Sequence, residues 1–131
     1  SNVIMKDCTF DGTYHVLLFK MRPDTPQQYR NVLVDGATGT VRNAVEVQTW
    51  KQFFDKVERD PMPMSIVDNV TFRNAHLVCT RNFYRDRKTD DYILSNFTFS
   101  DIIAESPDIT FDLTNISNPK TSDVSLRQTQ Q

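Results

Sequence analysis

Few residues in this 131-residue chain combine a reactive type with a spacing that could do chemistry. Asp90-Asp91 is a pair of carboxylates of the kind that glycosidic hydrolysis employs as acid and base. It lies inside Arg85-Asp86-Arg87-Lys88-Thr89-Asp90-Asp91, whose mixed charge reads as a solvated loop. Neighbours on an extended segment also point to opposite sides, so the pair would not converge on one bond. His15 and His76 stand beside the apolar residues Val16 and Leu77, and no Ser/His/Asp or Cys/His grouping follows from spacing. Both read as structural histidines. Cys8 and Cys79 make no metal-ligand spacing with them and are too few for a disulfide framework, so both read as buried thiols. No catalytic residue, metal set or cofactor motif is expected within this chain.

Composition narrows the partners. Fifteen basic and 17 acidic residues give a formal net charge of −2, which argues against a nucleic-acid binder with its basic stripe. The longest aliphatic run is Val16-Leu17-Leu18-Phe19, far short of the ~20 residues of a membrane span, so a soluble chain without a membrane partner is expected. Ser1 stands where an initiator Met would, and no signal peptide is visible, which reads as a processed chain. The length fits one domain over residues 1–131, read as part of a longer chain.

The elements that would position any site come from a repeat. Asn2-Val3-x-Met5, Asn31-Val32-x-Val34, Asn69-Val70-x-Phe72, Asn96-Phe97-x-Phe99 and Asp123-Val124-x-Leu126 follow one another at intervals of 29, 38, 27 and 27 residues. Recurrence at this period marks stacked coils. Two columns are wholly apolar: Val3, Val32, Val70, Phe97 and Val124, then Met5, Val34, Phe72, Phe99 and Leu126. The residues between and after them are mixed, as period-two alternation on a strand requires. A turn-prone column follows, Asp7, Gly36, Asn74, Asp101 and Gln128, suited to a corner.

A second β-rich segment is expected in each repeat at Val16–Lys20, Ala44–Gln48, Leu77–Thr80 and Ile109–Leu113. Like residues in like columns favour a right-handed parallel β-helix of about four to five coils over an antiparallel sandwich. A leucine-rich solenoid lacks its framework here. Within the longest interval, Trp50, Phe53, Phe54 and Val57 have helical spacing before Arg59-Asp60-Pro61, which predicts one short inserted helix. Cys8 and Cys79 would lie two coils apart, roughly 9–10 Å along the axis, beyond disulfide reach. The Asn-x-Ser/Thr sequences at Asn69, Asn96 and Asn115 fit glycosylation acceptors, but two of them lead repeat strands, where hydrogen bonding at a corner accounts for them.

The first coil, Asn2 through Lys20, resembles the later coils of glycoside hydrolase family 28, the polygalacturonase and rhamnogalacturonase group. In that family an Asn-Val-x-Ile strand precedes an Arg-Ile-Lys strand that lines the substrate cleft. The resemblance places Lys20 at the family's Lys and Leu18 at its Arg, so Leu18 and Lys20 would face the cleft while Leu17 and Phe19 face the core. It also sets Val47-Gln48-Thr49-Trp50 against a family strand that ends in Gln with a sugar-contacting Tyr nearby. The implied substrate-binding residues are Lys20, Gln48 and Trp50.

Lys20 would pair with a uronic-acid carboxylate, or else end its strand in solvent. Trp50 would stack on a sugar ring, or else anchor its short helix with Phe53 and Phe54. The Asn-Thr-Asp, Asp-Asp and Gly-His-Gly motifs that the family carries upstream of the Lys are absent before Lys20. The implied function is therefore the C-terminal β-helix part of a pectin-directed glycoside hydrolase, secreted or periplasmic, without the catalytic aspartates. A non-catalytic β-helix module for polysaccharide binding or assembly is the rival reading. A polysaccharide lyase of similar fold ranks below both, because it needs a poised base and commonly Ca²⁺. Absence of a cap before Asn2 predicts self-association through the open coil end.

Overall fold

The computed structural model describes residues 2–21, 28–49, 65–86 and 92–129. Among these residues eight strands make up one sheet: β1 (Val3–Lys6), β2 (Thr9–Met21), β3 (Gln28–Asp35), β4 (Thr38–Thr49), β5 (Ser65–Asp86), β6 (Tyr92–Ser106), β7 (Ile116–Ser117) and β8 (Lys120–Gln128). All seven strand pairings are parallel. The sheet curls because β5 pairs with β3 along its first half and β4 along its second, turning at Asn74 between them. Among the described residues no strand is followed by an antiparallel return, so the sandwich alternative falls. The described residues form no helix, and none could cross a membrane as one. The inserted helix expected over Trp50–Val57 lies outside the described residues.

The columns stack as the repeat predicts over four rungs. Val3 pairs with Val32, Val32 with Val70, and Val70 with Phe97. Met5, Val34, Phe72 and Phe99 form the next column, with Phe72 between Val34 and Phe99. Phe72, Phe97 and Phe99 are essentially fully buried, and each stabilises the fold by roughly 1.5–3 kcal/mol through burial alone. Phe83 meets Phe72 at 6.0 Å and Phe99 at 6.2 Å, Phe111 meets Phe99 at 5.1 Å, all edge to face, and Phe97 packs tilted on Phe99 at 6.3 Å.

Two ladders of left-handed residues shape the corners. The first holds Asn31, Asn69, Asn96 and Asn118, with φ of 56–60°. The second holds Asp7, Gly36, Asn74, Asp101 and Asp123, with φ of 52–87°. Asn, Asp and Gly tolerate this conformation where other residues lose roughly 1–2 kcal/mol. At the first corner the side chains also bond from rung to rung: Asn31 Nδ2 donates to Asn2 at 2.9 Å, Asn69 to Asn31 at 2.8 Å, and Asn118 to Asn96 at 2.8 Å. Asn96 departs from the ladder and donates to Asp68 Oδ1 at 2.8 Å, beside the Ser95 hydroxyl at 2.7 Å.

The fifth repeat needs correction. Thr121, not Leu126, pairs with Phe99, and Val124 pairs with Ile102. Asp123 therefore belongs to the second corner, and Asn118 occupies the Asn96 column. The misreading has a physical source. Both corners place an Asn or Asp in the left-handed region immediately before an inward apolar residue, so Asp123-Val124 imitates Asn96-Phe97.

A second correction concerns residues 109–113, expected as a strand. Asp108 makes only an isolated bridge to Asn82, and the segment then turns on its own side chains. Asp108 Oδ1 accepts from Thr110 N at 2.9 Å and Asp112 Oδ1 from Thr114 N at 3.0 Å. Such local bonds compete with a ladder. Phe111 nevertheless packs on Phe83, Tyr84 and Phe99. Cys8 and Cys79 are free thiols, one half-buried and one buried, and burial pushes the Cys79 thiol up to about 11.

Candidate functional site: a buried carboxylate at the third bend

Alternation fails at one place in each of three stacked strands. Val16 and Leu17 on β2, Ala44 and Val45 on β4, and Phe83 and Tyr84 on β5 are adjacent yet buried together. Register shifts precede them, between Asp11 and Thr13 on β2 and between Val41 and Asn43 on β4. A bulge of this kind bends a strand and re-aims the side chains beyond it. Here it brings together residues that the sequence separates by 31 and 39 positions, namely His15, Glu46 and Arg85.

Leu18, Glu46 and Arg85 are register partners, as are His15, Asn43 and Asn82. Glu46 sits at the centre and is 5% exposed. Removing a carboxylate from water costs several kcal/mol unless partners replace the solvent. His15 Nε2 bonds Glu46 Oε2, Asn43 Nδ2 approaches the same oxygen at 3.4 Å, and Arg85 Nη1 lies 3.7 Å from Oε1. Asn43 is itself held, its Oδ1 accepting from Asn82 N at 3.1 Å. Arg85 keeps 41% of its side chain exposed and His15 17%, so the cluster is open to solvent on one side. Tyr14 stands at the rim, 67% exposed, its ring 6.3 Å from His15 and beneath the Arg42 guanidinium at 5.5 Å.

Arg85 also lines a cavity of about 340 Å³ with Asn82, Asp86, Asp108 and Asp112. Thr110 bonds hold the Asp108 carboxyl below its usual range. Asp86 is occupied: it accepts from the Tyr92 hydroxyl, from Tyr84 at 3.4 Å and from Asn115 Nδ2 at 3.1 Å. Burial, then the Asp86 charge, pushes the Tyr84 phenol far up, so it stays a neutral donor. Among the described residues no group of three or more His, Cys, Asp or Glu could hold a metal ion.

Of the residues singled out in the sequence, Lys20 and Gln48 are register partners on β2 and β4, two positions beyond Leu18 and Glu46. The expected parity holds where it is described: Leu17 and Phe19 are buried at 7% and 3%, and Leu18 is 40% exposed. Gln48 is half-buried. Trp50, Asp90 and Asp91 lie outside the described residues. His15, read as structural, joins a charged cluster, while His76 is exposed on β5. Sequence reasoning passed over Glu46 and Arg85. The available signal was a carboxylate inside the apolar run Ala44-Val45-Glu46-Val47, where an unpaired charge would be costly. All three Asn-x-Ser/Thr amides are hydrogen-bond donors within the fold: Asn69 to Asn31, Asn96 to Asp68 and Asn115 to Asp86.

Compared with protein families, curated proteins and solved structures, the chain finds no match.

Proposed function

We propose that this chain is part of a right-handed parallel β-helix of four to five coils, of the glycoside hydrolase family 28 kind, that binds a pectin-like uronic-acid polysaccharide along its third bend. The observation that carries the reading is the register pairing of Lys20 with Gln48, alongside the column of Leu18, Glu46 and Arg85. Successive rungs lie about 4.8 Å apart, so the bend offers a row of polar groups that a sugar chain can follow. Arg85 supports it as an exposed cation suited to a planar carboxylate. Tyr14 adds an exposed aromatic face at the rim. Right-handedness follows from the strong bias of parallel crossover connections.

The test is calorimetric titration with oligogalacturonate and with a neutral oligosaccharide of equal length. The acidic ligand should bind and weaken with salt, and Lys20→Ala should weaken it about 10- to 150-fold, as loss of one charge-assisted bond of roughly 1.5–3 kcal/mol implies. Equal affinity for both ligands, or none for the acidic one, contradicts the reading.

An assembly role is the second reading, favoured by the outer edge strand β1, where Val3 and Ile4 are 41% and 67% exposed. An edge with apolar side chains templates further pairing. Sedimentation should then show association that Ile4→Lys abolishes, and a concentration-independent monomer refutes it.

A further inference from the structure

Three facts at the third bend belong to proton-transfer chemistry more than to binding. His15 uses Nε2 on Glu46, and among the described residues nothing bonds Nδ1. In the neutral imidazole whose Nε2–H is donated to Glu46, the lone pair stands on Nδ1. The imidazole is thus oriented by a buried carboxylate, the arrangement by which a base is held in one tautomer. Arg85 Nη1 lies 3.7 Å from the other oxygen of the same carboxylate, with 41% of the Arg85 side chain exposed.

We propose that His15 is a general base and Arg85 an electrophilic partner for β-elimination at a uronic-acid residue, with Glu46 as the positioning residue. The inference rests on the uronate-binding reading above and adds a reaction to it. The proton on C5 of a uronate lies α to the carboxylate, and its removal becomes feasible when a cation neutralises the charge that develops there. His15 Nδ1 takes that proton. The C–H electron pair forms the C4–C5 double bond, the C4–O bond breaks, and its pair leaves on the glycosidic oxygen, which is protonated by water. No oxidant, metal or second substrate enters the balance.

This chemistry differs from hydrolysis in what it needs from carboxylates. An inverting hydrolase requires an acid and a base about 6.5–9.5 Å apart, both reaching the scissile bond. Glu46 is 7% exposed at its side chain and carries His15, Asn43 and Arg85, and Asp86 carries two tyrosines and Asn115. Their oxygens are committed, whereas His15 Nδ1 is not.

The experiment incubates the full chain with polygalacturonate and follows the ultraviolet absorbance of the conjugated C4–C5 double bond, with oligogalacturonate affinity measured in parallel. Absorbance should rise with time. His15→Gln should lower kcat at least about 100-fold with affinity retained. Glu46→Gln should lower kcat about 10-fold or more at constant KM, and Arg85→Gln should lower kcat and raise KM together. Circular dichroism of each variant checks folding, and Glu46→Asp, which keeps the charge, should recover part of the kcat lost in Glu46→Gln. Binding without absorbance, or reducing ends without absorbance, overturns the elimination proposal and leaves the binding reading intact. A His15→Gln variant as active as the parent overturns it as well. Failure of the parent to bind oligogalacturonate overturns both.

Discussion

At the asparagine corner nearly every rung supplies the same residue in the same backbone state, and at the third bend each rung supplies a different one. Asn31, Asn69, Asn96 and Asn118 all sit near φ 60°. His15, Glu46 and Arg85 share neither type nor charge, yet they converge on one buried carboxylate. Repetition is what a stacked fold needs, because each ladder bond is satisfied by an identical neighbour. A non-repeating, charged cluster gains nothing from stacking, and its desolvation must be offset by specific partners. The contrast separates residues that build the coil from charged residues that the stacking does not require.

Breaking the repetitive side should give the largest effect. Phe72→Ala removes a fully buried ring between Val34 and Phe99 and should cost about 3–5 kcal/mol, measured by urea denaturation. A loss below about 1 kcal/mol would mean that the columns do not pack as stacked rungs. At the third bend, Glu46→Ala strands His15, Asn43 and Arg85 and should cost about 1–3 kcal/mol, while Arg85→Gln should cost under about 1 kcal/mol because the Arg85 side chain is 41% exposed and its pairing is screened by water. Equal costs for the two would place the cluster's value in folding alone.

The asparagine corner can be divided further. Asn31→Ala loses a bond to Asn2 and one from Asn69 and forces Ala to φ 59°, for about 1–3 kcal/mol. Asn31→Gly keeps the backbone relaxed and should cost less, so the difference between the two variants isolates the left-handed strain.

The smallest effect concerns acid. The Asn74 amide bond, aided by Arg73, lowers the Asp35 carboxyl below 3.8, and the Ser95 hydroxyl followed by the Asn96 amide does the same for Asp68. A carboxyl with a depressed folded value contributes stability that is present above its unfolded value and lost as pH falls through the folded one. Denaturation midpoints should therefore drop as pH falls below about 4, and Asp68→Asn should flatten that limb. An unchanged limb would show that the Asp68 contacts do not persist in solution.

Much of this architecture was written in the order of residues. Period and column class disclosed parallel stacking for Val3 through Phe99, since apolar alternation survives in sequence wherever a strand has one buried face. The Asp123 misalignment shows the limit of that signal, because both corners select Asn and Asp for the same conformational reason. The 109–113 segment looked β-rich from its apolar residues, but Asp108 and Asp112 turn it locally. The His15, Glu46 and Arg85 cluster was hidden because two register shifts create it, and a bulge leaves no period in the sequence. Only the lone acid among Ala44, Val45 and Val47 hinted at it.

The most direct test of the division between building and acting surfaces is an amide chemical-shift titration with oligogalacturonate. The account predicts perturbations confined to Tyr14, His15, Leu18, Lys20, Glu46, Gln48 and Arg85, with Asn31, Asn69 and Asn118 unmoved. Shifts centred on the asparagine corner, or none at the third bend at saturating ligand, would contradict it.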